Sequence, residues 1–118
     1  MGGKIFTTTA VVASVMIAGT ALASCPSQTV NGTHTSPDNS WDFHAVHNGR
    51  ATITKRPLKD ATFKGKAEIS CVGDNVIIEL DMEHADYYCS GKFTSGRSFY
   101  LSCDINGGGK GHIDAVFE

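Results

Sequence analysis

Asp81, Tyr88, Asp104 and His112 are the residues of this sequence whose types and spacing come nearest to chemistry. Once the apolar alternation described below is folded into paired strands, these four fall in one outward row across four strands. Glu79 and Asp114 lie on the next row. An acid–His–Tyr row can hold a cation, dock a basic partner or, with His112 paired to Asp104, transfer a proton. Exposed pairs of this kind are common and weak, so a solvated face outweighs catalysis. The adjoining row, Ile77, Lys92, Tyr100 and Val116, is unusually apolar for an outer surface. Aromatic and aliphatic residues exposed together mark an interface. Cover by the N-terminal segment explains the row equally well.

The other reactive side chains give less. His44 and His47 have a ligand-like spacing on a helix, but on a strand positions three apart point to opposite faces. His84 lies within Asp81–Asp86, "DMEHAD", which lacks the alternating acids and central glycine of a calcium loop; it reads as a charged turn. No G-x-S-x-G elbow is present, and Gly107-Gly108-Gly109 has no Walker-type Lys-Ser/Thr ending. Asn31-Gly32-Thr33 matches a glycosylation sequon, which matters only in a eukaryotic secretory host. No metal, cofactor or enzymatic activity is expected.

The first 23 residues have the parts of a secretory signal: Lys4, the apolar run Ala10–Ala18, and small residues at the end. The run is too short for a transmembrane anchor, which needs about 20 apolar residues, and no later stretch is longer. Ala21–Cys25, "ALASC", allows two cuts. Cleavage before Ser24 releases a soluble protein, in the periplasm or outside the cell. Cleavage before Cys25, as in a lipobox, yields an outer-membrane lipoprotein anchored through that cysteine. With Lys4 removed, nine Lys and Arg stand against twelve Asp and Glu. No basic cluster remains beyond the short run Lys55–Lys59, which reads as a solvated loop. Nucleic acid and anionic membrane are therefore poor partners.

The elements that position these groups are strands. In Ala61–Cys71 the odd positions are apolar or small and the even positions polar, a half-buried strand. The turn Gly73-Asp74, with glycine first as a type II′ turn requires, sets Cys71 opposite Val76, Ile69 opposite Ile78 and Ala67 opposite Leu80. Tyr87, Cys89, Gly91 and Phe93 form the inner face of the next strand. A three-residue loop, Ser95-Gly96-Arg97, places Phe93 opposite Phe99, Gly91 opposite Leu101 and Cys89 opposite Cys103. A glycine loop, Asn106–Lys110, returns the last strand with Ile113 beside Cys103 and Phe117 beside Phe99. Earlier, a His47-Asn48-Gly49 loop with Gly49 left-handed brings Trp41, Phe43, Ala45, Ala51 and Ile53 to one side. Residues 24–40, rich in Ser, Thr, Asn, Gly and Pro, read as a loop-like lead-in with one short strand at Gln28–Val30.

Residues directly opposite on antiparallel strands are close enough for a disulfide, so Cys89–Cys103 follows from register. Cys71 is then left with Cys25, and an even cysteine count in a small exported domain agrees. That parity favours cutting after Ala23.

The mature chain is thus an all-β, disulfide-stapled antiparallel meander of seven to eight strands over residues 41–118. Its apolar face must be buried by closing into a barrel, wholly or in part, or by folding into a sandwich. Gly65, Ala67 and Gly91 on that face either ease curvature or leave room inside. The architecture resembles lipocalin-like barrels and periplasmic lysozyme-inhibitor barrels. The expected role is a binding or inhibitory module for a protein or glycan. A carrier of a small apolar ligand in the barrel is the alternative, and a lipid-anchored envelope protein through Cys25 is another.

Overall fold

The computed structural model describes residues 25–56 and 61–118. The signal segment, both cleavage points and most of the basic run at 55–59 lie outside the described residues. Among the described residues eight strands follow one another: β1 (Thr29–Thr35), β2 (Ser40–Val46), β3 (Gly49–Lys55), β4 (Thr62–Val72), β5 (Asn75–Met82), β6 (Asp86–Ser95), β7 (Ser98–Ile105) and β8 (Gly109–Phe117). Each pairs antiparallel with the next, and β1 pairs with β8, so the sheet is a closed barrel. Closure removes every unpaired strand edge, the usual liability of a small all-β domain.

Alternation decides what goes inside. Ala67, Ile69 and Cys71 of β4 are buried, while Lys66, Glu68 and Val72 between and beside them are exposed. The same rule buries Val76, Ile78, Leu80 and Met82 on β5 and Phe99, Leu101 and Cys103 on β7. At one end of the barrel Phe99 stacks on Phe117, with Phe93 tilted against both. The inner-face glycines leave no room. A Cβ on Gly91 would lie 2.0 Å from the Tyr100 carbonyl oxygen, and one on Gly65 would lie 2.3 Å from that of Asp81. They sit where neighbouring strands approach too closely for a side chain, the packing that tight coiling requires.

Both disulfides form as register and parity require, Cys89–Cys103 between paired positions of β6 and β7 and Cys25–Cys71 from the start of the described chain to β4. The β4–β5 hairpin has Cys71 opposite Val76, Ile69 opposite Ile78 and Ala67 opposite Leu80. Its turn carries Gly73 at φ 59°. Phe93 meets Phe99, but a residue is bulged out between Phe93 and Ser95, and Ser95 pairs with Ser98 across the turn. In the β2–β3 connection Phe43 faces Ile53 as expected. The left-handed residue there is Asn48, φ 57°, and not Gly49. Asparagine tolerates that region by bonding locally through its side chain.

Three features differ from the sequence reading. The first is β1, which runs for seven residues and not as a short strand at Gln28–Val30. It buries Val30 and His34 and lays Gly32 where a Cβ would lie 2.5 Å from Ala115 Cα. The second is the β7–β8 register, in which Leu101 faces Ile113, Phe99 faces Ala115 and Cys103 faces Gly111. The connecting loop is shorter than expected, because Gly107 and Gly108 take φ of 95° and 101° and let Ile105 pair with Gly109. The third is the β5–β6 register, where Asp81 pairs with Asp86 and Glu79 with Tyr88. The four residues between Asp81 and Asp86 fold back with a bond from Met82 N–H to the Ala85 carbonyl. Both registers are slipped by two residues, which keeps every side chain on its own face but moves it to another row.

Candidate functional site

These slips redistribute the outer face. The expected row of Asp81, Tyr88, Asp104 and His112 is not formed. Tyr88 sits between Glu79 and Asp104, whereas Asp81 is one step along, between Lys66 and Asp86. Asp104 is paired with Lys110 in an exposed ion pair. His112 lies opposite Ser102 on one side and Thr35 on the other. Its ring stacks on Tyr100, centroids 5.1 Å apart at 28°. An acid–imidazole couple between Asp104 and His112 is therefore absent from this arrangement, and with it the geometry that would position a general base.

The apolar row is also divided. Lys92 does face Tyr100, but Ile77 lies between Ser70 and Ser90, and Val116 lies between Asn31 and Ser98. Ile77 is half-buried, while Tyr100 and Val116 are exposed. Instead of one hydrophobic stripe, the surface carries separate apolar side chains set among polar ones, which is ordinary for a soluble protein.

What the true register builds is an acidic cleft. Glu68 of β4, Glu79 of β5, Tyr88 of β6 and Asp104 of β7 run side by side, each on the outward phase of its strand. Asp81 and Asp86 form the neighbouring row. Together they line a cleft of about 710 Å³ that spans four strands. Tyr88, 48% exposed, stands among the carboxylates with its ring offered to solvent. Among the described residues Lys66 is the one cation on the cleft's lining, with Lys110 at the margin on Asp104. Glu68 and Asp86 were not singled out from the sequence: each is one acid among many on a polar strand face, and only the register gathers them.

A second group lies at the barrel end near the β5–β6 turn. His34 of β1 points inward and is 2% exposed, yet neither ring nitrogen has a hydrogen-bond partner among the described residues. Burial, followed by the charges of His112 and His84, lowers its pKa to about 4. His84 stacks on Phe63 at 4.1 Å, and its Nε2 lies 2.7 Å from the Tyr87 hydroxyl. Burial also lowers the His84 pKa, partly opposed by Glu83, and raises that of the Tyr87 phenol. Among the described residues no cluster of three or more His, Cys, Asp or Glu side chains is arranged to hold a metal ion.

Cys25 Sγ is bonded to Cys71 Sγ. Among the described residues no helix is long and apolar enough to cross a membrane. No family model matches the chain, and neither a curated protein nor a solved structure is similar enough to it to count as a match.

Proposed function

We propose that the protein is an exported binding module, not an enzyme, that recognises a cationic protein partner through the acidic cleft on β4–β7. The observation that carries this reading is the set of five carboxylates, Glu68, Glu79, Asp81, Asp86 and Asp104, gathered around the exposed ring of Tyr88. A concave acidic surface focuses its field and speeds the approach of a basic partner. A central tyrosine supplies contact area at low entropic cost and can lie against a guanidinium or ammonium group. An inhibitory role follows where the basic surface so covered belongs to an enzyme's substrate site.

Two disulfides in a chain this small support an oxidising compartment outside the cytoplasm. The carrier reading has less behind it. The interior is filled by Phe99, Phe117, Ile53, Ile69, Ile78 and Leu101, and the glycines that could have opened space are closed by adjacent backbone.

The test compares the immobilised mature protein with a Glu79→Lys/Asp81→Lys variant in capturing proteins from the host's envelope and medium. The expected result is a basic protein held by the wild type, released by raised salt and lost from the variant. Equal retention by both proteins would sink the reading.

A further inference from the structure

The end of the barrel beside the β5–β6 turn combines three observations. A buried imidazole, His34, has no partner for either nitrogen among the described residues. The turn beside it is held by a small set of local contacts, among them Lys64 N–H donating to Glu83 Oε2 and His84 Nε2 meeting the Tyr87 hydroxyl at 2.7 Å. Met82 N–H donates to the Ala85 carbonyl, Glu83 N–H to the Lys64 carbonyl, and the His84 ring rests between Phe63 and Tyr87. Finally, Tyr87 lies edge-on to both imidazoles, 5.3 Å from His34 and 5.5 Å from His84, so the turn and the buried histidine share one contact.

We infer that the Glu83–Ala85 turn is an acid-released latch on this end of the barrel, kept shut while His34 and His84 are neutral. The groups around His34 give it no anion to pair with. β8 contributes His112, the turn contributes His84, and β6 contributes the Tyr87 phenol. The adjacent β2 sets the uncharged Trp41 opposite it, with Lys55 of β3 beyond. Among the described residues Glu83 is the one carboxylate that reaches this cluster; it acts on His84 and accepts from Lys64 N–H. A proton on His34 therefore places an unpaired charge inside the barrel, and such a charge requires water. His84 is already in contact with solvent, and a charge on its ring repels a second one on His34. Lifting the turn relieves both costs at the loss of these local bonds alone, because the disulfides and the remaining strand ladders lie elsewhere. Local openings of this kind belong to segments with few buried contacts.

The sequence has a single tryptophan, Trp41, and it packs against Phe63, on which His84 rests. Its fluorescence reports the latch directly. Between pH 7.5 and 4 (about the range in which histidines titrate) the emission maximum is expected to move to the red. Quenching by acrylamide should rise with it while the far-UV circular dichroism of the barrel stays unchanged. His84→Gln, which keeps a hydrogen-bonding partner for Tyr87 but cannot be charged, should move the transition to lower pH. His34→Gln should abolish it. A flat Trp41 signal overturns the inference, as does a red shift that accompanies loss of the barrel's dichroism, or a transition unaltered in both variants. Where His34→Gln fails to fold, the imidazole resonances of the wild type decide. His34 titrating with the Trp41 midpoint supports the latch, and His34 titrating apart from it overturns the latch.

Discussion

The ring of His34 lies directly over Gly111: a Cβ at that glycine would come within 2.7 Å of His34 Nε2 and 2.8 Å of the Thr35 carbonyl oxygen. Gly111→Ala is therefore overpacked on both sides and should destabilise the fold by about 1–3 kcal/mol. Urea unfolding followed by circular dichroism measures the loss. Combined with His34→Ala, the glycine substitution should cost clearly less than the two single effects added, since the clash partner has gone. Strict additivity would show that the two residues do not press on one another.

Acid should weaken the protein through the same histidine. His34 has a folded pKa near 4 and an unfolded value of 6.5. Between those values the unfolded chain holds the proton that the folded chain refuses, so unfolding free energy falls as pH falls. The contribution is complete above pH 6.5 and gone below pH 4, and is worth on the order of 2 kcal/mol once partial hydration is allowed for. Urea midpoints taken through this window should decline for the wild type and flatten in a His34→Gln protein.

The two disulfides should contribute unequally. Cys89–Cys103 closes a separation of 14 residues and Cys25–Cys71 one of 46. Loop-closure entropy then assigns about 3 kcal/mol to the first and about 4 kcal/mol to the second. Paired Cys→Ala variants, unfolded in urea, give the order directly. Peptide mapping of the intact protein should return these two pairings, with no lipid on Cys25.

Lys110 and Asp104 make an ion pair whose side chains are 75% and 70% exposed. Lys110→Met should change stability by less than about 1 kcal/mol, because solvent screens such pairs. It also frees a carboxylate at the margin of the acidic cleft. Binding of a basic partner should tighten in this variant and its salt dependence should steepen, both readable by titration calorimetry.

Legibility in the sequence depended on what alternation can and cannot encode. The β4–β5 hairpin could be read because Gly73-Asp74 admits one turn and Cys71, Ile69 and Ala67 all demand apolar partners. Facing was also readable nearly everywhere: Phe43, Ile53, Phe99 and Leu101 are all inside. Row was not, because a period of two is blind to a slip of two. Asp104 therefore meets Lys110 and not His112, on the strength of two left-handed glycines whose conformation composition does not announce. The acidic cleft inherits this limit, since Glu68 and Asp86 join it only once the β5–β6 turn is known. The full length of β1, beyond the short strand expected at Gln28–Val30, escaped detection for another reason. Its inward positions are Val30, Gly32 and His34, a valine followed by two residues with no apolar signature. Gly32 is there because Ala115 presses close, and His34 because Gly111 leaves its ring a place.

The pairing of β1 with β8 also sets an order of events during folding. Among the described strands β1 comes earliest in the chain and stays half-paired, with β2 alone beside it, until Gly109–Phe117 has docked. A chain halted before Gly109 is an open ribbon with two bare flanks, at β1 and at β7. The Arg97 side chain, which donates to the carbonyls of Phe117 and Glu118, has nothing to hold until then. The barrel thus matures all at once and late: the first of its described strands is completed by the last, and no shorter piece of residues 29–117 contains a finished wall.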